Sequence, residues 1–290
     1  MAKNFLKRFA ALMAALSMLL LAGCNVENIG EEPNERKEKA AISVHFLDVG
    51  QADSILVKAP SGKNMLIDAG NNNDGEKVVS YLKSQGISKI DVLVGTHPHE
   101  DHIGGLDNVI KNFDIVNIYM PRVTSSTKTY KDVIEAVKAK NLSINTAKYG
   151  VKLDLENGID ATMLAPIGQS YENLNDYSAV IKIRYGNTSF LFMGDAEKTS
   201  ENEILNKGID LKADVLKVGH HGSDTSTGTS FLDAVNPRYA VISVGANNVY
   251  GHPNKSTIDK LNKKGISILR TDKDGTIVLT SDGQNINVSN

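Results

Sequence analysis

Apolar runs broken by Gly, Pro and small polar residues recur along the whole chain. Residues 42–49, 54–58 and 64–67 predict three consecutive antiparallel strands. Residues 74–85 put Val78, Val79 and Leu82 on one helical face, and Gly86 supplies a stop. A short buried strand is expected at 91–95, another at 115–119, a helix at 128–140 and a strand at 142–146. In the second half, the runs 178–185 and 188–193 flank Gly186-Asn187, a good hairpin turn. A helix at 197–206, a buried strand at 214–218, a short helix at 231–235, a strand at 239–244 and a helix at 256–264 follow, and strands at 267–269 and 276–280 close the chain. Strands interleaved with helices in two similar halves predict two mixed sheets packed together with helices outside.

The N-terminus follows a different pattern. Lys3, Lys7 and Arg8 precede an apolar run that ends at Leu21-Ala22-Gly23-Cys24. A basic start, an apolar stretch too short to span comfortably and small residues at its end describe a secretory signal peptide over residues 1–23. Leu-Ala-Gly-Cys resembles the bacterial lipobox, which implies lipidation at Cys24 as the mature N-terminus. Residues 24–40 have almost nothing to bury and read as a flexible tether. The rest, 41–290, suits one large α/β domain, held at the extracytoplasmic face of the cell membrane by a lipid anchor only.

Composition narrows the chemistry. A chain of 290 residues that is 41% hydrophobic and 23% charged is an ordinary folded protein. Its single Cys excludes a disulfide scaffold and a thiolate zinc site, so any metal must be held by His and carboxylates. Net charge is −2, and removing residues 1–23, which carry three basic residues and no acid, moves it to −5. No basic balance points to nucleic acid.

Of the seven His, six (97, 99, 102, 220, 221 and 252) sit in turns after predicted strands, where a scaffold holds functional groups. His97 and His99, two apart in a tight turn, can converge on one cation, while Asp101 and His102 point to a second. Asp195, at another strand end, is the natural carboxylate to bridge them. Two cations about 3.5–4 Å apart acidify a shared water and clamp attacking and leaving oxygens. Asp68 is placed to orient a ligating His. His45 lies inside a strand and reads as a satisfied histidine. Asp48, Gln51 and Asp53 shape the site mouth or stabilise turns. Ser223 and Lys217 face a phosphate, or Lys217 belongs to a solvated strand face.

The run Thr96-His97-Pro98-His99-Glu100-Asp101-His102-Ile103-Gly104-Gly105 resembles the metal-binding motif of the metallo-β-lactamase superfamily. Phe46-Leu47-Asp48-Val49-Gly50-Gln51-Ala52-Asp53-Ser54, Gly194-Asp195-Ala196-Glu197, Gly219-His220-His221-Gly222-Ser223 and Tyr250-Gly251-His252-Pro253 resemble the branch containing the hydrolase-like domain of the DNA-uptake protein ComEC. The resemblance covers about residues 41–285 and implies an αββα sandwich with two divalent cations, zinc or manganese, at one edge. It implies His97, His99, Asp101, His102, Asp195, His252 and one of His220 and His221 as ligands, the other supporting a ligand or facing substrate, with Asp101 and His102 as the catalytic pair. Two departures stand out. Most hydrolytic members carry another His before the bridging Asp, and residues 103–194 contain none; Asn175-Asp176-Tyr177-Ser178 stands near the vacancy. ComEC also has membrane-channel segments and an oligonucleotide-binding-type barrel, and this chain has neither.

The reading that follows is a surface-anchored metal-dependent hydrolase, a phosphodiesterase acting on DNA, a wall polymer such as teichoic acid, or another anionic phosphoester. The alternatives are an accessory DNA-binding or DNA-processing protein in competence, a β-lactam hydrolase, and a metal-retaining protein without turnover.

Overall fold

A computed structural model describes residues 41–289, so the expected leader, tether and Cys24 lie outside the described residues. The first half of the chain builds most of one sheet. Strands β1 (Ile42–Phe46), β2 (Ile55–Lys58) and β3 (Asn64–Ile67) form an antiparallel meander. Helix α1 (Gly75–Ser84) then crosses to β4 (Lys89–Val94), parallel to β3. Helices α2 (Glu100–Ile103) and α3 (Leu106–Asn112) lead to β5 (Asp114–Pro121), and α4 (Lys128–Ala139) leads to β6 (Ile144–Ala147), both strands again parallel.

The second half builds the other sheet. It runs through β7 (Lys152–Leu153), β8 (Ile159–Met163), β9 (Ile181–Tyr185), β10 (Thr188–Phe192), α5 (Lys198–Asn206), β11 (Val215–Lys217), α6 (Thr229–Val235), β12 (Tyr239–Ile242), α7 (Lys255–Lys263) and β13 (Ser267–Arg270). After α8 (Thr271–Asp274) the chain returns to the first sheet as β14 (Ile277–Ser281) and β15 (Ile286–Ser289). The orders are β15-β14-β1-β2-β3-β4-β5-β6 and β13-β12-β11-β10-β9-β8-β7.

Alternation within single strands explains the layering. In β4, Val92 and Val94 enter the layer between the sheets while Leu93 faces the helices. In β10, Phe190 and Phe192 point into that same layer and Leu191 points out beneath α5 to α7. Phe46 meets Phe192 across the layer, ring centroids 6.1 Å apart. Three apolar clusters result, one between the sheets and one under each set of helices, which is an αββα sandwich. Truncating either Phe to Ala would cost about 3–5 kcal/mol.

The hairpin at Gly186-Asn187 forms as expected, pairing Tyr185 with Thr188. Several expectations are corrected. Residues 100–103, expected within a tight turn, are helical, as are 106–112, to which no element was assigned, because His99 serves as a backbone N-cap and the apolar Leu106, Val109 and Ile110 share a buried face. The first strand ends at Phe46, not 49, and β8 and the closing β15 were not anticipated. Lys217 is wholly buried instead of solvated, since β11 lies between β10 and β12 with both faces covered. Asp68, His97, Asp195 and His220 all follow the C-terminal ends of β3, β4, β10 and β11. The fold therefore gathers them at one edge, where open α/β sheets place their ligand sites.

Candidate metal centre

The centre is assembled from four strand ends around Asp195, which is 2% exposed and turned in by Gly194 at φ 52°. The Asp195 amide donates to Ser178 Oγ at 3.0 Å, fixing the carboxylate. Its two oxygens face different partners. Oδ1 lies 3.2 Å from His102 Nε2 and 3.8 Å from His221 Nε2. Oδ2 lies 3.6 Å from His220 Nε2 and 3.9 Å from His97 Nε2. Asp101 Oδ2 joins the first group, 3.2 Å from His221 Nε2 and 3.8 Å from His102 Nε2. His99 joins the second, its Nδ1 3.0 Å from His97 Nε2.

Four of these imidazoles, His97, His102, His220 and His221, are held by their other nitrogen. His102 Nδ1 donates to Asp68 Oδ2 at 2.8 Å, and Asp68 also accepts from the Thr96 amide and hydroxyl at 2.8 and 2.7 Å. His221 Nδ1 donates to the Ser243 carbonyl at 2.9 Å. His220 Nδ1 lies 3.1 Å from Glu197 Oε1 and 3.2 Å from Thr225 Oγ1. His97 Nδ1 sits 3.2 Å from Thr96 Oγ1 and 3.3 Å from Ser178 Oγ. Hydrogen bonding of this kind fixes a tautomer that leaves Nε2 with a lone pair, the state a cation requires.

The backbone supports the geometry. Gly104 and Gly105 leave no room for a side chain: a Cβ on the first would stand 2.2 Å from the Asn72 amide, and on the second 2.3 Å from the Ala69 carbonyl. That close approach lets Ala69 N donate to His102 O at 2.8 Å and docks the turn carrying Asp101 and His102 on the Asp68 loop.

Electrostatics favour positive charge here. Burial pushes His97 and His99 below the ordinary histidine range, so both are neutral donors. For His102, burial opposes the charge, but the Asp195, Asp101 and Asp68 carboxylates outweigh it and hold the imidazole well above that range. Burial likewise opposes ionisation of Asp195, yet His102 and His221 keep it well below the usual carboxylate range. His102 Nε2 and Asp195 Oδ1 are buried and satisfied by no hydrogen bond. One ligand atom each from Asp101, His102, Asp195 and His221 falls within 4.8 Å of the others. Orphaned donor atoms converging in a carboxylate and imidazole set suit zinc, manganese or iron.

The pair His220 and His221 corrects an expectation. One was expected as a ligand and the other either to support it or to face substrate, with no ranking between the two; both rings face Asp195, one at each oxygen. His252 stands beside the pair, its ring 6.5 Å from that of His221 and its Nδ1 buried with no hydrogen-bond partner among the described residues, so it remains a candidate ligand. Its ring lies 5.5 Å from that of His220 and is stacked with that of Tyr250 at 5.8 Å. Ser223 Oγ meets Thr225 Oγ1 at 3.0 Å and steadies the turn below His220 rather than facing a phosphate. Lys217 Nζ pairs with Asp53 Oδ2 at 2.7 Å beneath His221. Asp48 and Gln51 hold turns, accepting from the Gly50 and Gly245 amides at 3.2 and 3.1 Å. His45 is satisfied by Tyr81 and Ser43, at 2.7 and 3.0 Å. Glu197, Ser178 and Thr225 were not assigned roles from the sequence; Glu197 stands two residues after Asp195, and Ser178 ends the Asn175–Ser178 stretch near the absent His.

An αββα sandwich with a carboxylate and imidazole centre at its edge defines the metallo-hydrolase class. The chain belongs to the metallo-β-lactamase superfamily, whose profile matches residues 47–246, and to its ComEC-like branch. It is 34% identical over 251 residues to ComE operon protein 3 of Bacillus subtilis, covering 81% of this chain and 32% of that protein. It is 31% identical over 265 residues to Competence protein ComA of Neisseria gonorrhoeae, covering 90% of this chain and 35% of the relative. The chain thus spans about a third of the length of these relatives. Among solved structures, the diiron β-hydroxylase CmlA from Streptomyces venezuelae shares the fold at 14% identity and TM-score 0.52, over 79% of this chain and 52% of CmlA.

Proposed function

We propose that this protein is a dinuclear-metal-dependent phosphodiesterase. The observation that supports it most is the split of Asp195, whose two oxygens face two separate ligand sets. His97, His99, His220 and Asp195 Oδ2 would hold one divalent cation; Asp101, His102, His221 and Asp195 Oδ1 would hold the other. His220 takes the place of the His absent from residues 103–194. The cations supply Lewis-acid stabilisation of developing negative charge and a water of lowered pKa.

The chain's own residues do the rest. Asp68, Ser243 and Glu197 fix the tautomers of His102, His221 and His220. Ser178 locks Asp195 through its amide. His252, with a buried and unpartnered Nδ1 beside His220 and His221, would lend a further donor, and the exposed Tyr250 stacks on its ring. No Ser or Cys nucleophile is invoked.

The names of the relatives, a competence protein among them, favour nucleic acid among possible phosphodiesters, with a wall polymer as the alternative. We place the protein outside the membrane, anchored through lipid at Cys24; no helix among the described residues is long and apolar enough to cross a membrane. The test is metal analysis of the purified protein with turnover of a bis-aryl phosphodiester, using Asp101→Ala as control. Two bound cations and turnover lost in the variant support the reading. DNA retention without turnover favours the competence accessory, and cleavage of a β-lactam but no diester overturns the assignment.

A further inference from the structure

We infer that the rim beside the metal centre, from Arg122 to Lys148, is a binding track for the backbone of a linear polyphosphodiester. The inference rests on the phosphodiesterase reading and deepens it: the substrate is a chain, held on several phosphates, not a small ester.

The topology sets out the track. Strands β4, β5 and β6 are adjacent and parallel, so their C-terminal ends emerge on one edge. β4 leads into His97, β5 into Arg122 and β6 into Lys148. The register pairs Val94 with Tyr119 and Pro121 with Ala147, so Arg122 and Lys148 leave their strands side by side. Two strand spacings carry the positive rim roughly 10 Å outward from the centre.

The surface there is concave. A cavity of about 560 Å³ is lined by Arg122, Lys148 and Tyr177. A second, of about 580 Å³, shares Arg122 and Thr146 with it, so the two are continuous. Among the described residues no carboxylate lines either cavity, whereas three further surface cavities each have Asp in their walls. Tyr177 joins the track to the centre, because the next residue, Ser178, touches His97 and holds Asp195.

The charge balance gives this strip its meaning. With a net charge of −2 the protein has no general attraction for a polyanion, so affinity must come from local cations. The Arg122 guanidinium can take a phosphate in a bidentate grip and the Lys148 ammonium a second as a point charge.

The test compares the full chain, loaded with zinc or manganese, with its Arg122→Gln/Lys148→Gln variant. Substrates are a single-stranded oligonucleotide, poly(glycerol phosphate) and a bis-aryl phosphodiester. The ratio of polymer to monomer kcat/KM should fall about tenfold or more at low salt. The slope of log affinity for the oligonucleotide against log salt should flatten by about one to two. A fall confined to one polymer supports the track and names its source. A parallel fall on all three substrates, or an unchanged ratio and slope, overturns it. If wild type cleaves no diester, the hydrolytic reading fails, and the track then stands or falls on the salt slope of binding alone.

Discussion

His220 and His221 are consecutive in the chain, yet their rings address opposite oxygens of Asp195, at 3.6 Å from Oδ2 and 3.8 Å from Oδ1. Neighbouring residues in helix or strand cannot both reach one carboxylate from its two sides. Here both adopt left-handed backbone, φ 47° and 50°, which L-residues other than Gly enter at a cost of roughly 1–2 kcal/mol each. The strain is held by the His220 amide donating to the Gly194 carbonyl at 3.1 Å.

That arrangement predicts separable halves. His220→Gly and His221→Gly keep the backbone conformation and remove one ligand each, so each variant should bind one cation fewer than wild type by calorimetric titration. The metal-free variants should unfold at or above the wild-type temperature, since Gly relieves the strain. Loss of both cations in either variant would show that the two sets do not act independently.

Asp68 stands behind His102 and carries three hydrogen bonds in the interior, two to Thr96 and one to His102. Burial raises its pKa and the His102 charge opposes that rise. Asp68→Asn keeps the shape but removes the negative charge behind His102, and the imidazole loses its strongest acceptor. Metal affinity should fall about 10- to 100-fold in a chelator competition assay. An unchanged dissociation constant would mean that Asp68 merely fills space.

The local motifs made the ligand types legible: His97, His99, Asp101 and His102 fall within six residues, and short-range pattern is what a sequence displays best. The two sheets were legible too, because strand runs interleave with helices in both halves, whereas the split of Val92 and Val94 from Leu93 between two apolar layers shows only in the structure. The function of His220 against His221 was hidden because it depends on two positive φ angles, which no residue preference for His suggests. Lys217 was misread because period-two alternation marks an exposed face only when one side of a sheet is open, and β11 has none. Glu197 went unassigned since its partner, His220, lies in a separate turn.

His45 supplies a pH-dependent term remote from the centre. It is buried between Tyr81 and Ser43, and burial, with Lys58 adding repulsion, pushes its pKa down to about 4. The folded value is below the unfolded one of about 6.5, so the folded state resists the proton that the unfolded state accepts. Its contribution is unchanged above pH 6.5 and is lost as pH falls towards 4, on the order of 3 kcal/mol. His45→Gln, which does not titrate, should flatten the stability profile between pH 6.5 and 4 in urea titrations. A variant as acid-sensitive as wild type over that window would assign the sensitivity elsewhere.

Lys217 and Asp53 give the last test, because one buried pair serves both stability and the centre. Lys217 Nζ meets Asp53 Oδ2 at 2.7 Å and the Val218 carbonyl at 3.0 Å, while Asp53 Oδ1 lies 3.5 Å from His221 Nδ1. Burial opposes a charge on His221; Asp195, Asp101 and Asp53 favour it strongly enough to raise the pKa, and Lys217 partly counters them. Lys217→Met strands the Asp53 charge and should destabilise the fold by about 3–5 kcal/mol, a drop in Tm of roughly 10 °C. It should also raise the His221 pKa further, so that protons compete with metal and affinity falls at neutral pH but recovers at higher pH. Adding Asp53→Asn to the variant removes the stranded charge, and both stability and metal affinity should rise together. Recovery of stability with no recovery of affinity would separate the ion pair from the metal site and confine it to the core.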